Sequence, residues 1–237
     1  MDIKGWVRTS LIDFPGHIAT VVFTAGCNFR CPMCHNADLV LRPGELPSFD
    51  LSVIWDFLRR RAGKVTGLVV TGGEPTLQPD LPVFLTEVRD LGYAVKLDTN
   101  GYRPDVLAAL LDQDLVDFVA MDVKAPPKSY GLLTGVPDIE VDPIRASLSM
   151  LCEGRAPVEF RTMVVPGLLA PHHVGAIARW LAGLGAASGA TYVLQQFRGG
   201  STLDARLAAV TLYTSDELRQ MAVRARLWLP DVKVRGI

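Results

Sequence analysis

The chain has 237 residues, enough for one sizeable domain with a full core. Its 24 Lys and Arg nearly balance its 25 Asp and Glu, so no global field steers it to nucleic acid or to a membrane surface. No basic segment leading into an apolar one opens the chain, which argues against secretion.

The pattern predicts a short hairpin or arm over residues 1–18, which contain Gly5, Pro15 and Gly16. Strands are expected at Thr20–Thr24, Gly67–Thr71, Ala94–Asp98, Phe118–Asp122, Val158–Val165 and Thr191–Phe197. They are continuous Val- and Leu-rich runs, as parallel strands covered on both faces should be. Between them lie helical stretches at Leu51–Ala62, Leu81–Leu91, Pro104–Leu111, Pro143–Cys152, Pro171–Leu184 and Ser215–Leu229. Ser48 or Asp50 can cap the first, Gly92 can end the second, and Pro104 can open the third. A last strand, Val232–Val234, can close the chain. The long uncharged stretch from Trp180 to Phe197 is broken by Gly183, Gly185, Ser188 and Gly189, so it reads as helix end, loop and strand rather than a membrane span. Six βα units in series imply an α/β fold, a partial (βα)6 TIM-like barrel with parallel strands and right-handed crossovers, open where a complete barrel would have eight. The expected organisation is one domain, 1–237, with the arm at 1–18 and the barrel over 19–237.

The polar motifs all follow strands. Cys27 to Cys34 follow the first, Gly72-Gly73-Glu74-Pro75 the second, Asp98-Thr99-Asn100-Gly101 the third, Asp122 and Lys124 the fourth, Pro166-Gly167 the fifth and Gln196-Phe197-Arg198 the sixth. The carboxyl ends of parallel strands are where α/β folds build active sites, so these motifs predict one composite site.

Three of the four cysteines, Cys27, Cys31 and Cys34, are spaced C-x3-C-x2-C; Cys152 stands apart. This is no disulfide framework, and it fits a metal centre in a reducing, cytoplasmic compartment. Three thiolates can hold three irons of a cubane cluster and leave the fourth iron open to a substrate. The competing reading is structural zinc, which wants four protein ligands. His35 is the nearest candidate for the fourth, but it adjoins Cys34 and cannot easily turn back onto the same ion.

C-x3-C-x2-C after a first strand, with Gly-Gly-Glu-Pro after the second, resembles the radical S-adenosylmethionine (SAM) superfamily. Within it, the chain is similar to the activating enzymes of glycyl-radical enzymes, above all the anaerobic ribonucleoside-triphosphate reductase activating group, with pyruvate formate-lyase activating enzyme a more distant relative. The matching stretches are Ser10–Gly16, Phe23–Asn36, Thr71–Pro75, Leu97–Gly101, Met121–Lys124, Arg161–Gly167 and Leu194–Arg198.

The resemblance implies a [4Fe–4S] cluster on Cys27, Cys31 and Cys34, whose open iron takes the amine and carboxylate of SAM. It implies that Gly72 and Gly73 allow close backbone approach and that Glu74 accepts from the methionyl ammonium. Lys124 would hold the methionyl carboxylate, though an ion pair with Asp122 is the plain alternative. Asp98, Thr99 and Asp122 would bind a monovalent cation, though ordinary strand-end capping explains the same residues. Arg161, inside a strand, needs an anionic or carbonyl partner; the cofactor's carboxylate or ribose is the natural one. Met33, Val165, Gln196 and Phe197 would flank the adenine. Met33 stands where the superfamily often has an aromatic residue, and Arg198 where formate-lyase relatives have a histidine.

The implied reaction is reductive cleavage of SAM to methionine and a 5′-deoxyadenosyl radical. That radical would abstract a hydrogen atom from a glycine of a partner glycyl-radical enzyme such as anaerobic ribonucleotide reductase. The alternative is epimerisation or rearrangement of a small molecule such as a sugar. Cys152 is the candidate hydrogen donor, but it ends the helix before the fifth strand, on the amino-terminal side of the sheet, and reads more simply as a buried structural cysteine. A flavodoxin or ferredoxin-type protein would supply the electron, and Arg59-Arg60-Arg61 is a candidate docking point.

Overall fold

A computed structural model describes every residue except Ser188, which belongs to the uncharged stretch discussed above. Eight strands follow one another in chain order in an open α/β sheet: β1 (Ile3–Ser10), β2 (Ala19–Thr24), β3 (Gly67–Gly72), β4 (Ala94–Thr99), β5 (Phe118–Asp122), β6 (Val158–Val164), β7 (Ala190–Gln196) and β8 (Val232–Arg235). The helices are α1 (Ala37–Leu41), α2 (Leu51–Arg61), α3 (Leu81–Asp90), α4 (Pro104–Asp112), α5 (Tyr130–Thr134), α6 (Asp142–Cys152), α7 (Pro171–Gly183) and α8 (Ser215–Ala225). Among the described residues no helix is long and apolar enough to cross a membrane.

The chain forms two compact units. The first comprises Met1–Asn28, Asn36–Thr99 and Asp105–Val119. In it β1 pairs antiparallel with β2, which makes the opening segment a hairpin, while β2, β3 and β4 are parallel. The hairpin turn folds Phe14 onto Ala19, Val21 and Val69, an apolar cluster that ties the arm to the sheet. Asp50 caps α2 by accepting from the Ser52 N–H at 2.8 Å. Gly92, with φ of 82°, follows the end of α3 as a left-handed residue.

The second unit comprises Phe29–His35, Asn100–Pro104 and Ala120–Ile237. There β6, β7 and β8 run parallel. Thr214 and Glu217 form a reciprocal capping box at the start of α8. This helix stops at Ala225, short of the expected Leu229, and the Arg226 guanidinium donates to the Val232 carbonyl at 2.6 Å. Two helices were not anticipated: α1 and α5 have five residues each, too short to show a helical apolar period.

Phe14 is 4% exposed. Truncation to Ala should cost about 3 to 5 kcal/mol, since its neighbours cannot close the cavity. Urea unfolding followed by circular dichroism measures it.

Candidate functional site

In the first unit the carboxyl ends of β2 and β3 are pressed together. A Cβ on Gly72 would lie 2.3 Å from the Thr24 nitrogen, and one on Gly73 would lie 1.7 Å from the Gly26 oxygen. The close approach that these glycines permit is therefore to the chain's own backbone. It is locked by hydrogen bonds from Gly73 N–H to the Thr24 carbonyl (2.9 Å) and from Glu74 N–H to the Gly26 carbonyl (2.8 Å). Asn36 Nδ2 donates to the Gly72 carbonyl at 3.2 Å. Cys27, next to Gly26, starts from this clamp.

Glu74 is 1% exposed. Its Oε1 accepts from Thr76 N–H (3.1 Å), Thr76 Oγ1 (2.6 Å) and Thr99 Oγ1 (2.8 Å). Three donors on one oxygen fix the orientation of the carboxylate. Thr99, expected near a cation, thus has its hydroxyl turned to Glu74. Asp98 is paired with Lys96, a buried lysine that the sequence reading passed over. A signal was available: Lys96 lies two residues before Asp98 in a strand, so both side chains leave the same face.

In the second unit the rest of the cysteine loop is held from two sides. Arg30 N–H donates to the Thr134 carbonyl at the end of α5 (2.7 Å), and a Cβ on Gly135, at φ 67°, would lie 2.3 Å from the Arg30 carbonyl oxygen. On the other side Asp204 N–H donates to the Pro32 carbonyl (2.9 Å) and Leu203 N–H to the Cys34 carbonyl (3.0 Å). His35 stacks on Phe197 at 5.7 Å and its Nε2 lies 2.9 Å from the Arg198 carbonyl. The Arg198 carbonyl and the Phe197 ring thus engage one ring nitrogen and one face of His35. These contacts join segments more than 100 residues apart, and no local pattern announces them.

Cys31 is 8% exposed and Met33 is buried, while Cys34 is partly exposed. Burial pushes the Cys31 thiol up, and the Lys124 ammonium pulls it the other way. Lys124 Nζ lies 2.8 Å from Asp122 Oδ2, and Arg161 Nε lies 2.9 Å from Asp122 Oδ1. Asp122 is thus the anionic partner that Arg161 required, and each of its oxygens faces one cation. Burial alone would raise this carboxyl, but Arg161 and Lys124 outweigh it and hold it far below the usual carboxylate range. Lys124 is held above its ordinary value because Asp122 and Cys31 overcome its own burial. The Tyr130 hydroxyl accepts from the Lys124 N–H at 3.4 Å.

Val165 and Phe197 are fully buried. Gln196 Nε2 donates to the Tyr213 carbonyl at 2.7 Å, which orients the amide and leaves Oε1 buried with no donor. Such an acceptor suits an exocyclic amine like that of adenine. Cys152 lies at the end of α6, beside Gly185, and burial raises its thiol to about 11.

Residues 21–181 match the Radical SAM superfamily. The chain belongs to this superfamily. It is an enzyme of the radical SAM type, and membership implies a [4Fe–4S] cluster and SAM. Three cysteines that form no disulfide suit the cluster, and within the second unit the unmet Gln196 acceptor suits the adenine of SAM. A protein of Methanocaldococcus jannaschii, provisionally named a glycyl-radical enzyme activating enzyme, is 30% identical over 99% of this chain and 96% of its own length. Pyruvate formate-lyase-activating enzyme of Clostridium pasteurianum is 32% identical over 53% of each chain. Among solved structures, Streptococcus suis SuiB bound to its precursor peptide SuiA superposes with a TM-score of 0.69 at 12% identity. It matches 91% of this chain and 48% of SuiB, a likeness of the radical SAM fold.

The Gly73→Ala variant should separate the strand ends, because no rotation of a backbone carbonyl accommodates a Cβ at 1.7 Å. Iron content and cluster absorbance after anoxic reconstitution should fall several-fold while far-UV circular dichroism stays near wild type.

Proposed function

We propose that this radical SAM enzyme activates a partner glycyl-radical enzyme, with an anaerobic ribonucleotide reductase as the first candidate. The observation that carries this reading is the M. jannaschii relative, matched over nearly the whole of both chains. When bound, the cluster and SAM supply reductive cleavage to methionine and a 5′-deoxyadenosyl radical that takes a hydrogen atom from the partner's glycine. The protein's task is to hold and orient.

In this reading Cys27, Cys31 and Cys34 ligate the cluster. Glu74, its carboxylate already oriented by Thr76 and Thr99, accepts from the methionyl ammonium. Lys124 has three N–H donors, of which one serves Asp122, and a second serves the methionyl carboxylate. Arg161 keeps Asp122 ionised and so keeps Lys124 in place. Gln196 Oε1 accepts from the adenine amine, and the apolar surfaces of Met33, Val165 and Phe197 exclude water around the ring. The whole chain acts as one domain.

The donor set does not suit a further monovalent cation. Asp98 already faces Lys96, and Asp122 already faces Lys124 and Arg161. No step is assigned to such an ion.

The electron comes from a small acidic carrier of the flavodoxin or ferredoxin kind, in the cytoplasm. Arg59, Arg60 and Arg61 form the last turn of α2, where cations complement the helix terminus. This turn leads into the amino end of β3, whereas Cys27 follows the carboxyl end of the parallel β2. A groove of about 720 Å³ in the second unit suits the carrier better. Lys128, Arg145, Arg179 and Trp180 line it, and no lining residue is acidic. Trp180 meets Tyr130 edge to face at 6.3 Å, and Tyr130 lies within electrostatic reach of Cys31.

Two measurements test these statements. With dithionite, SAM and the reductase under anoxic conditions, EPR should show a glycyl doublet that is absent from the Cys31→Ser variant. Active SAM cleavage with no doublet would count against the partner. The double variant Arg145→Glu/Arg179→Glu should accept electrons from reduced flavodoxin roughly tenfold more slowly at low salt, with the dithionite-driven reaction unchanged.

A further inference from the structure

Lys96 lies inside β4, where its backbone is in register with Val69 of β3, and it is 3% exposed. Its strand neighbours Val95 and Leu97 are fully buried. An ammonium in such a place is costly unless it is paired. It is paired with Asp98 Oδ1, two residues further along the same face and towards the carboxyl end of the strand. The two side chains are 4% and 15% exposed, so the pair is shielded from bulk water and is screened by salt much less than a surface pair.

Asp98 is also the carboxylate that the family resemblance assigns to a monovalent cation. We propose that the Lys96 ammonium takes the place of that ion. The chain carries its own cation at the end of β4, and SAM binds without help from potassium or sodium. This rests on the reading of the site as a SAM site.

Charge and shape support the exchange. The ammonium is compact and carries one positive charge, as an alkali ion does, whereas a guanidinium would be larger and planar. It neutralises Asp98 without recruiting an ion from solution. A second cation at the same carboxylate would lie beside a like charge. With one N–H on Asp98, the ammonium retains two further donors, which a spherical ion lacks. Thr99, the other oxygen group expected around the ion in this unit, has its hydroxyl hydrogen directed to Glu74. Asp98 thus accepts from a protein ammonium and Thr99 donates to a protein carboxylate.

The test is SAM binding to the reconstituted protein by anoxic calorimetry, at constant ionic strength with choline exchanged for potassium. The wild-type dissociation constant should change less than about twofold. In Lys96→Met the largely shielded Asp98 carboxylate loses this ammonium; affinity in choline should fall about tenfold, and potassium should restore much of it. Should Lys96→Met fail to fold, Lys96→Met/Asp98→Asn removes both charges together, a change that is much milder than removing one. That double variant should bind SAM with no dependence on potassium. A several-fold gain in wild-type affinity on adding potassium overturns the proposal. So does a Lys96→Met protein, or a double variant standing in for it, whose potassium response contradicts these expectations. Wild-type protein that binds no SAM in either salt overturns the SAM-site reading itself. That outcome is distinct because no binding is seen in any salt, whereas failure of the cation proposal alone leaves SAM bound.

Discussion

A carboxylate taken out of water at the end of a strand has to be met by donors or by a cation, and much of this structure is organised by that demand. Glu74 is met by Thr76 and Thr99, Asp98 by Lys96, and Asp122 by Lys124 and Arg161. Each solution uses neighbours along one strand or from the strand beside it. In two of them a lysine lies two residues from an aspartate, one before it and one after. Strand periodicity puts Lys96 and Asp98 on one face, and Lys124 follows Asp122 just past the end of β5, so neither pair needs a long-range folding event to bring it together.

These pairs also explain how polar groups can stand ready without a ligand. Asp122 stays ionised because two cations face it, and Lys124 stays charged because Asp122 and Cys31 lie near it. The energy of desolvating them is met within the protein. In the proposed reading, SAM meets donors and acceptors that are already oriented, which lowers the ordering cost of binding.

The cysteine loop obeys a different constraint. It has little regular structure, so its backbone groups need partners from elsewhere. They come from Thr134 at the end of α5 and from Leu203 and Asp204 after β7. Gly72 and Gly73 serve the same purpose at the start of the loop, where a side chain would drive the ends of β2 and β3 apart.

The βα series, the hairpin at the start and the C-x3-C-x2-C loop were readable from the sequence, because strand runs, caps and ligand spacing are local patterns. So was the position of each candidate group at a strand's carboxyl end. The fate of those groups was decided by tertiary structure. The burial that makes Lys96 need Asp98 comes with the folded sheet, and Thr99 serves Glu74 from the neighbouring strand. His35 rests on Phe197, and the loop is braced by residues 100 to 170 positions away. The sequence alone determined which elements form and where reactive side chains leave them, since short-range sterics and periodicity set both. Only the folded chain decided which groups from distant segments meet, Arg161 with Asp122 and Thr99 with Glu74, because those pairings depend on distances that no local pattern encodes.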